Sequence, residues 1–222
     1  MISRINDVMA SRILPKLQEL PENVFSNDFT FWVAGGACIK EDTDLDLFSP
    51  DGWKNKYNSK DLLEISVTPN ASTYKANGQL VQFCSYTKAS LQELLKSFDF
   101  AHCQIGCVVK QIAAGIFCIE SVEWTQEYTD SRLLGTTWFT SSEYPLSSLL
   151  RVNKYVSQGL LPRGSALYST IAILTRIIER GFKDYKDFKE QLDAVDLGLL
   201  PEELAQVEKT DLLKLYELLL KK

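Results

Sequence analysis

The hydrophobic period changes once along this chain, near position 144, and that change dictates a fold containing both a sheet and a helical part. Before it, apolar residues come in short runs rich in aromatic and β-branched side chains, each closed by turn-forming residues. Residues 29–34 end at Gly35-Gly36, and residues 43–48 end at Ser49-Pro50-Asp51-Gly52. Residues 72–75 and 80–86 flank Asn77-Gly78, the strongest short hairpin signal. Residues 98–109 are nearly free of charge, as a central strand covered on both faces would be, and residues 116–122 add a further strand. Residues 60–65 fit either a short helix or a loop. Residues 2–20, with Ile5, Val8, Met9, Ile13, Leu17 and Leu20 near helical spacing, and residues 91–96 read as helices. After the change, helical periodicity runs through 145–158, 165–180, 185–195 and 201–222, with Gly159, Gly181 and Gly198 where helices stop. The expected class is α+β: a mixed β-sheet with flanking helices in residues 1–143, followed by a helical domain in 144–222.

Charge and cysteine usage narrow the functions open to such a chain. With 24 Lys+Arg against 29 Asp+Glu, its net charge of -5 excludes duplex binding by bulk electrostatics, although a local basic patch stays possible. The five cysteines, at 38, 84, 103, 107 and 118, are odd in number and dispersed through apolar stretches, so reduced buried thiols and a cytoplasmic location are expected. Arg4, Asp7, Arg12, Lys16 and Glu19 interrupt the N-terminal apolar residues, so no secretory leader is expected, and no apolar run is long enough for a membrane span.

One segment carries most of the chemistry. On a strand over residues 43–48, Asp44 and Asp46 point to one face while Leu45 and Leu47 point to the other. Two anions held together on a rigid strand repel unless a cation lies between them, and a divalent metal is the natural one. Upstream, Gly35 and Gly36 lack a Cβ, so backbone can approach a ligand closely and offer N–H groups to phosphate oxygens. Asp99 stands alone between Phe98 and Phe100 in the expected central strand, a costly place for an acid unless it is paired or metal-bound. Metal beside phosphate is what phosphoryl or nucleotidyl transfer requires. The competing account is that the three acids cap turns and strand ends.

The Gly35-Gly36 turn, Asp44-Leu45-Asp46-Leu47 and the later Phe98-Asp99-Phe100 together resemble the nucleotidyltransferase fold of the DNA polymerase beta superfamily. In that superfamily a glycine turn precedes Asp-x-Asp and a later strand carries a third acid. The glycine turn and helical tail are most similar to tRNA nucleotidyltransferases (CCA-adding enzymes) and poly(A) polymerases. Residues 68–73, Val81-Gln82-Phe83 and residues 98–103 also look like small nucleotidyltransferase-like proteins of phages and large viruses. The resemblance covers residues 29–109, with a weaker extension to Gly159. It implies that Asp44, Asp46 and Asp99 bind magnesium or manganese, with Asp99 assisting the incoming hydroxyl, and that Gly35 and Gly36 hold the triphosphate of an NTP. The chain departs from the CCA-adding pattern after Gly36, where Ala37-Cys38-Ile39-Lys40 and a short insert replace an Arg-Asp pair and a longer one.

Arg151, Lys154, Tyr155 and Gln158 recur at i, i+3, i+4 and i+7, a single polar helix face that serves equally as a solvated surface or as nucleotide-contacting residues, with Arg151 and Lys154 neutralising phosphate. His102-Cys103 with Cys107 matches no usual zinc spacing, and core packing is expected there. The four tryptophans could stack on bases, but core or edge packing is the more usual role of isolated aromatics, and Trp53 beside Gly52 is the one to test for stacking. The expected reaction is magnesium-dependent transfer of a nucleoside monophosphate from an NTP to a hydroxyl, an RNA or tRNA end, with release of pyrophosphate. Two alternatives stay open: a catalytically silent binding module of the same fold, and an adenylyltransferase acting on a small molecule.

Overall fold

The computed structural model describes residues 2–193 apart from positions 27, 42 and 69, so the helix expected over 201–222, the end of the 185–195 segment and Gly198 lie outside the described residues. The chain divides into two compact units, Met1–Leu134 and Gly135–Lys222. It is an α+β protein with a seven-stranded mixed sheet in the first unit. Among the described residues no helix is long and apolar enough to cross a membrane.

In the first unit the order is α1 (Ile2–Gln18), β1 (Thr30–Ala34), α2 (Gly36–Ile39), β2 (Leu45–Phe48), β3 (Leu63–Val67), β4 (Ala71–Ala76), β5 (Gln79–Cys84), α3 (Leu91–Lys96), β6 (Ile105–Ala113), β7 (Ile116–Trp124) and α4 (Gln126–Leu134). The strands lie in the order β3-β4-β5-β2-β1-β6-β7, and β2 with β5 forms a parallel pair. Asn77 (φ 46°) and Gly78 (φ 94°) make the tight turn between β4 and β5 that their dipeptide predicts. The segment 60–65, left between helix and loop by the sequence, runs instead into the edge strand β3 over 63–67, all five of whose side chains are exposed. With no buried face there is no alternation to betray a strand.

The two faces of this sheet are covered differently. Met9, Ile13, Leu17 and Leu20 of the N-terminal segment pack with Val33, Leu45, Leu47, Val81, Phe83, Cys107 and Val109 on one face. An aromatic cluster sits in the same core, with the Phe83 and Tyr57 rings stacked at 3.9 Å and 8°. Trp53 belongs to it: its ring stands edge-on to Phe83 at 5.0 Å and its Nε1 donates to the Cys84 carbonyl at 3.0 Å. Of the two roles open to Trp53, core packing is the one observed, because the indole is buried and its single donor is used. On the opposite face α3 packs, burying Leu91, Leu94 and Leu95 against Trp32, Ala34 and Phe48. Helix α3 starts at Ser90, whose side chain accepts from the Glu93 N–H. Gly106 permits its close approach, since a Cβ there would lie 3.0 Å from the Ala34 Cβ and 3.1 Å from Leu91.

The second unit holds α5 (Pro145–Ser157), α6 (Arg163–Arg180) and α7 (Tyr185–Asp193). Proline opens α5 at its first turn, and Gly181 (φ 59°) ends α6. The junction of α6 and α7 is held by Arg180, whose Nη1 and Nη2 donate to both Asp187 oxygens at 2.9 and 2.7 Å. Asp187 is lowered from its ordinary value to about 2, first by those guanidinium bonds and then, against burial, by the Lys183 N–H. A depressed carboxyl stabilises the fold above its unfolded value and loses that contribution as pH falls through the folded one. Protection of α7 amides from hydrogen exchange should therefore drop as pH falls from about 4 to about 2, and Asp187→Asn should remove that dependence. A pH response unchanged in the variant would refute it.

Candidate active site

The expected glycine turn is present, with one change in its chemistry. Strand β1 delivers the chain to Gly35, which takes φ 80° and ψ −132°, a conformation that side-chain-bearing residues avoid. The Gly35 N–H donates to the Ile105 carbonyl at 3.0 Å, so this donor is spent on the sheet and not offered to phosphate. The Gly35 carbonyl accepts from the Cys38 N–H and the Gly36 carbonyl from the Lys40 N–H, closing the short helix α2.

Two basic residues that sequence reasoning passed over hold α2 and the segment between it and β2. Lys16 is buried, and its Nζ donates to the Thr43 carbonyl at 3.0 Å, to Thr43 Oγ1 at 3.3 Å and to the Lys40 carbonyl at 3.4 Å. One turn earlier, Arg12 Nη1 donates to the Cys38 carbonyl at 3.0 Å. The signal was available: Lys16 falls among Met9, Ile13, Leu17 and Leu20, on the apolar stripe of α1, where a cation needs partners. Lys16→Met should destabilise the unit by about 1–3 kcal/mol, because three acceptors lose a charged donor. Urea unfolding with hydrogen exchange over residues 40–44 checks this; unchanged exchange there would dismiss the pinning role.

Asp44 and Asp46 remain neighbours. Strand β2 begins at Leu45, two residues later than expected, so exposed Asp44 stands directly before the strand. Asp46 is half-buried within it, between the fully buried Leu45 and Leu47. In the parallel pair Asp46 lies opposite Gln82 of β5, and Gln82 lies opposite Thr73 of β4. Parallel or antiparallel, directly paired residues point to the same face about 5 Å apart. Among the described residues the Gln82 side chain makes no hydrogen bond. Asp46 also acts on two thiols: Cys84 is pushed well above the ordinary thiol range by burial and then by the Asp46 charge. Cys38 is raised by its hydrogen bond with Cys107, by burial and by the charges of Cys107 and Asp46. Both stay protonated near neutrality and are excluded as nucleophiles.

Asp99 is buried, as expected, but the expected central strand begins later than residue 98. Asp99 lies between α3 and a 3-10 turn, Ala101–Cys103, and β6 starts only at Ile105. The turn is stabilised by Gln104, an anchor that the sequence did not single out. Its Nε2 donates to the Phe98 carbonyl at 2.9 Å, and its Oε1 accepts from Thr125 Oγ1 at 2.6 Å. Thr125 in turn accepts from the Tyr128 N–H, tying the segment to the start of α4. A Cβ at Gly35 would meet the Phe98 ring at 3.5 Å, which sets residues 98 and 99 close to the glycine turn.

Among the described residues no group of three or more His, Cys, Asp or Glu is arranged to hold a metal ion. His102 and Cys103 contact each other at 3.3 Å in the 3-10 turn, while Cys107 packs in the core with Cys38. In the second unit Arg151 is half-buried and Lys154 exposed on α5. Tyr155, expected on their polar face, is buried instead with Val152, because its ring follows the apolar stripe of the helix. The chain matches no known family model and has no significant sequence similarity to a curated protein.

Proposed function

We propose that this chain is a metal-dependent nucleotidyltransferase of the nucleotidyltransferase-like fold, transferring NMP from an NTP to the hydroxyl of an RNA or tRNA end with release of pyrophosphate. The observation that most supports this reading is Asp46, half-buried on β2 and preceded by exposed Asp44, on the same sheet face as Phe48 and beside the part that α3 covers. The donors there are carboxylate oxygens of Asp44 and Asp46 with the amide oxygen of Gln82 in reach, an all-oxygen set that fits magnesium or manganese. Bound there, the metal supplies neutralisation of phosphate charge.

The chain's own residues do the remainder. Lys16 and Arg12 hold the segment that carries Asp44, so that its carboxylate is placed without a large ordering cost on binding. The rigid β2 ladder does the same for Asp46. Asp99, in the segment locked by Gln104, is assigned to orienting the acceptor hydroxyl.

A second reading, a nucleotide-binding module without transfer, is favoured by one observation. The residue paired with Asp46 is the neutral Gln82, where a third acid would face the other two. Pyrophosphate release from each of the four NTPs with magnesium or manganese, with and without total RNA, separates the readings. Turnover that needs RNA supports transfer to an RNA end, whereas nucleotide binding without turnover supports the silent module.

A further inference from the structure

The sheet face that carries Asp46 holds half-buried Gln82 and Thr73 and exposed Ser66 and Lys75. Toward β1 and β6 it is closed by α3, whose Leu91, Leu94 and Leu95 bury Trp32, Ala34 and Phe48. Toward β5, β4 and β3 the strand register carries a transverse row: Asp46 opposite Gln82, Gln82 opposite Thr73, Thr73 opposite Ser66. The alternate residues Val81, Phe83 and Tyr74 lie in the core on the other face, so Gln82 and Thr73 project outward. Three inter-strand steps make the row about 14 Å long. Beside it stands Lys75, paired with Leu80 on β5 and exposed, with no ion pair among the described residues.

An acceptor whose terminal hydroxyl reaches Asp46 has to leave along this open direction, because α3 blocks the other. The row presents amide and hydroxyl groups that both donate and accept, with one cation alongside. That chemistry suits ribose hydroxyls and a phosphodiester more than an apolar or highly charged partner. We propose that the Gln82-Thr73-Ser66 row, with Lys75, is the track on which a single-stranded RNA acceptor lies, its 2′-hydroxyls read by the neutral groups and a phosphate held by Lys75. The inference rests on the nucleotidyltransferase reading for its direction, but binding is measured without turnover.

The test is fluorescence anisotropy of a labelled single-stranded RNA, and of DNA of the same base order, with the full-length chain. Serine and threonine are replaced together as Ser66→Ala with Thr73→Val, outward positions whose change leaves the core intact. Each lost neutral hydrogen bond weakens binding by roughly threefold to tenfold, so RNA affinity should fall by about tenfold or more while DNA affinity moves little. Lys75→Ala should lower the slope of affinity against salt by about 0.7, and Lys186→Glu, an exposed position of α7, should change nothing. Equal affinities for RNA and DNA, unchanged RNA affinity in the double variant, or no RNA binding by the wild type would each overturn the track. RNA binding lost in the variants, with no pyrophosphate released by the wild type, upholds the track and overturns transfer.

Discussion

Asp46→Asn is expected to reduce pyrophosphate release from NTP by a thousandfold or more while the protein stays folded. The size follows from the charge: a metal clamp on transferring phosphate contributes several kcal/mol to the transition state, and about 4 kcal/mol corresponds to roughly a thousandfold at tenfold per 1.36 kcal/mol. The fold is spared because Asp46 is half-buried on the sheet face away from the main core, and asparagine keeps its shape. Two controls accompany it. Manganese binding, read by its paramagnetic signal, should weaken with turnover, and Asp44→Asn should have a smaller effect because Asp44 lies outside the β2 ladder. Wild-type turnover in Asp46→Asn, with metal binding retained, would end the metal-centre reading of these acids.

Phe83→Ala is expected to destabilise the first unit by about 3–5 kcal/mol, the largest effect of any single core change considered. The ring is 1% exposed. It stacks on Tyr57, stands edge-on to Trp53, and meets Tyr74 at 5.7 Å and Phe25 at 6.1 Å. Truncation removes its apolar transfer term together with several aromatic pair terms of about 0.5–1.5 kcal/mol each. Rings this large cannot all shift to refill one gap in a close-packed interior. Because the chain has two units, the loss should be read locally, from hydrogen exchange of β5 amides, and not from a single melting transition. A loss below about 1 kcal/mol would mean that the cluster repacks. Phe83 also alternates with Gln82, so the variant should loosen the neighbour of Asp46 and reduce turnover beyond the fraction unfolded.

How much of this was legible before folding depends on whether a signal was local. The β1 turn at Gly35, the β4–β5 hairpin at Asn77-Gly78, and helices α3, α5 and α6 each announce themselves within a few residues, by positive-φ dipeptides, a serine cap or a helical stripe. Strand β3 did not, because all its side chains are exposed and its place at the edge comes from pairing with β4. Helix α4, with no buried apolar residue among those of its span, gives a weak stripe and was passed over for the same reason. Residues 98–104 read as strand because their apolar content is that of a covered strand. Instead they hold a loop and the 3-10 turn 101–103, followed by Gln104, which bonds to Thr125 21 positions away.

The candidate site divides along the same line. That Asp44 and Asp46 stand two residues apart beside buried leucines, downstream of a glycine pair, is a property of the sequence alone, since alternation along a strand needs no partner to be read. Which residues face Asp46 was decided only by tertiary structure. The parallel pairing of β2 with β5 joins segments more than thirty positions apart and puts Gln82 beside it, and a cation in α1 reaches across to hold the segment before it. Local chemistry sets what a residue can do, but the register of strands distant in sequence sets what it does it next to, and register is fixed by the burial of the whole opposite face.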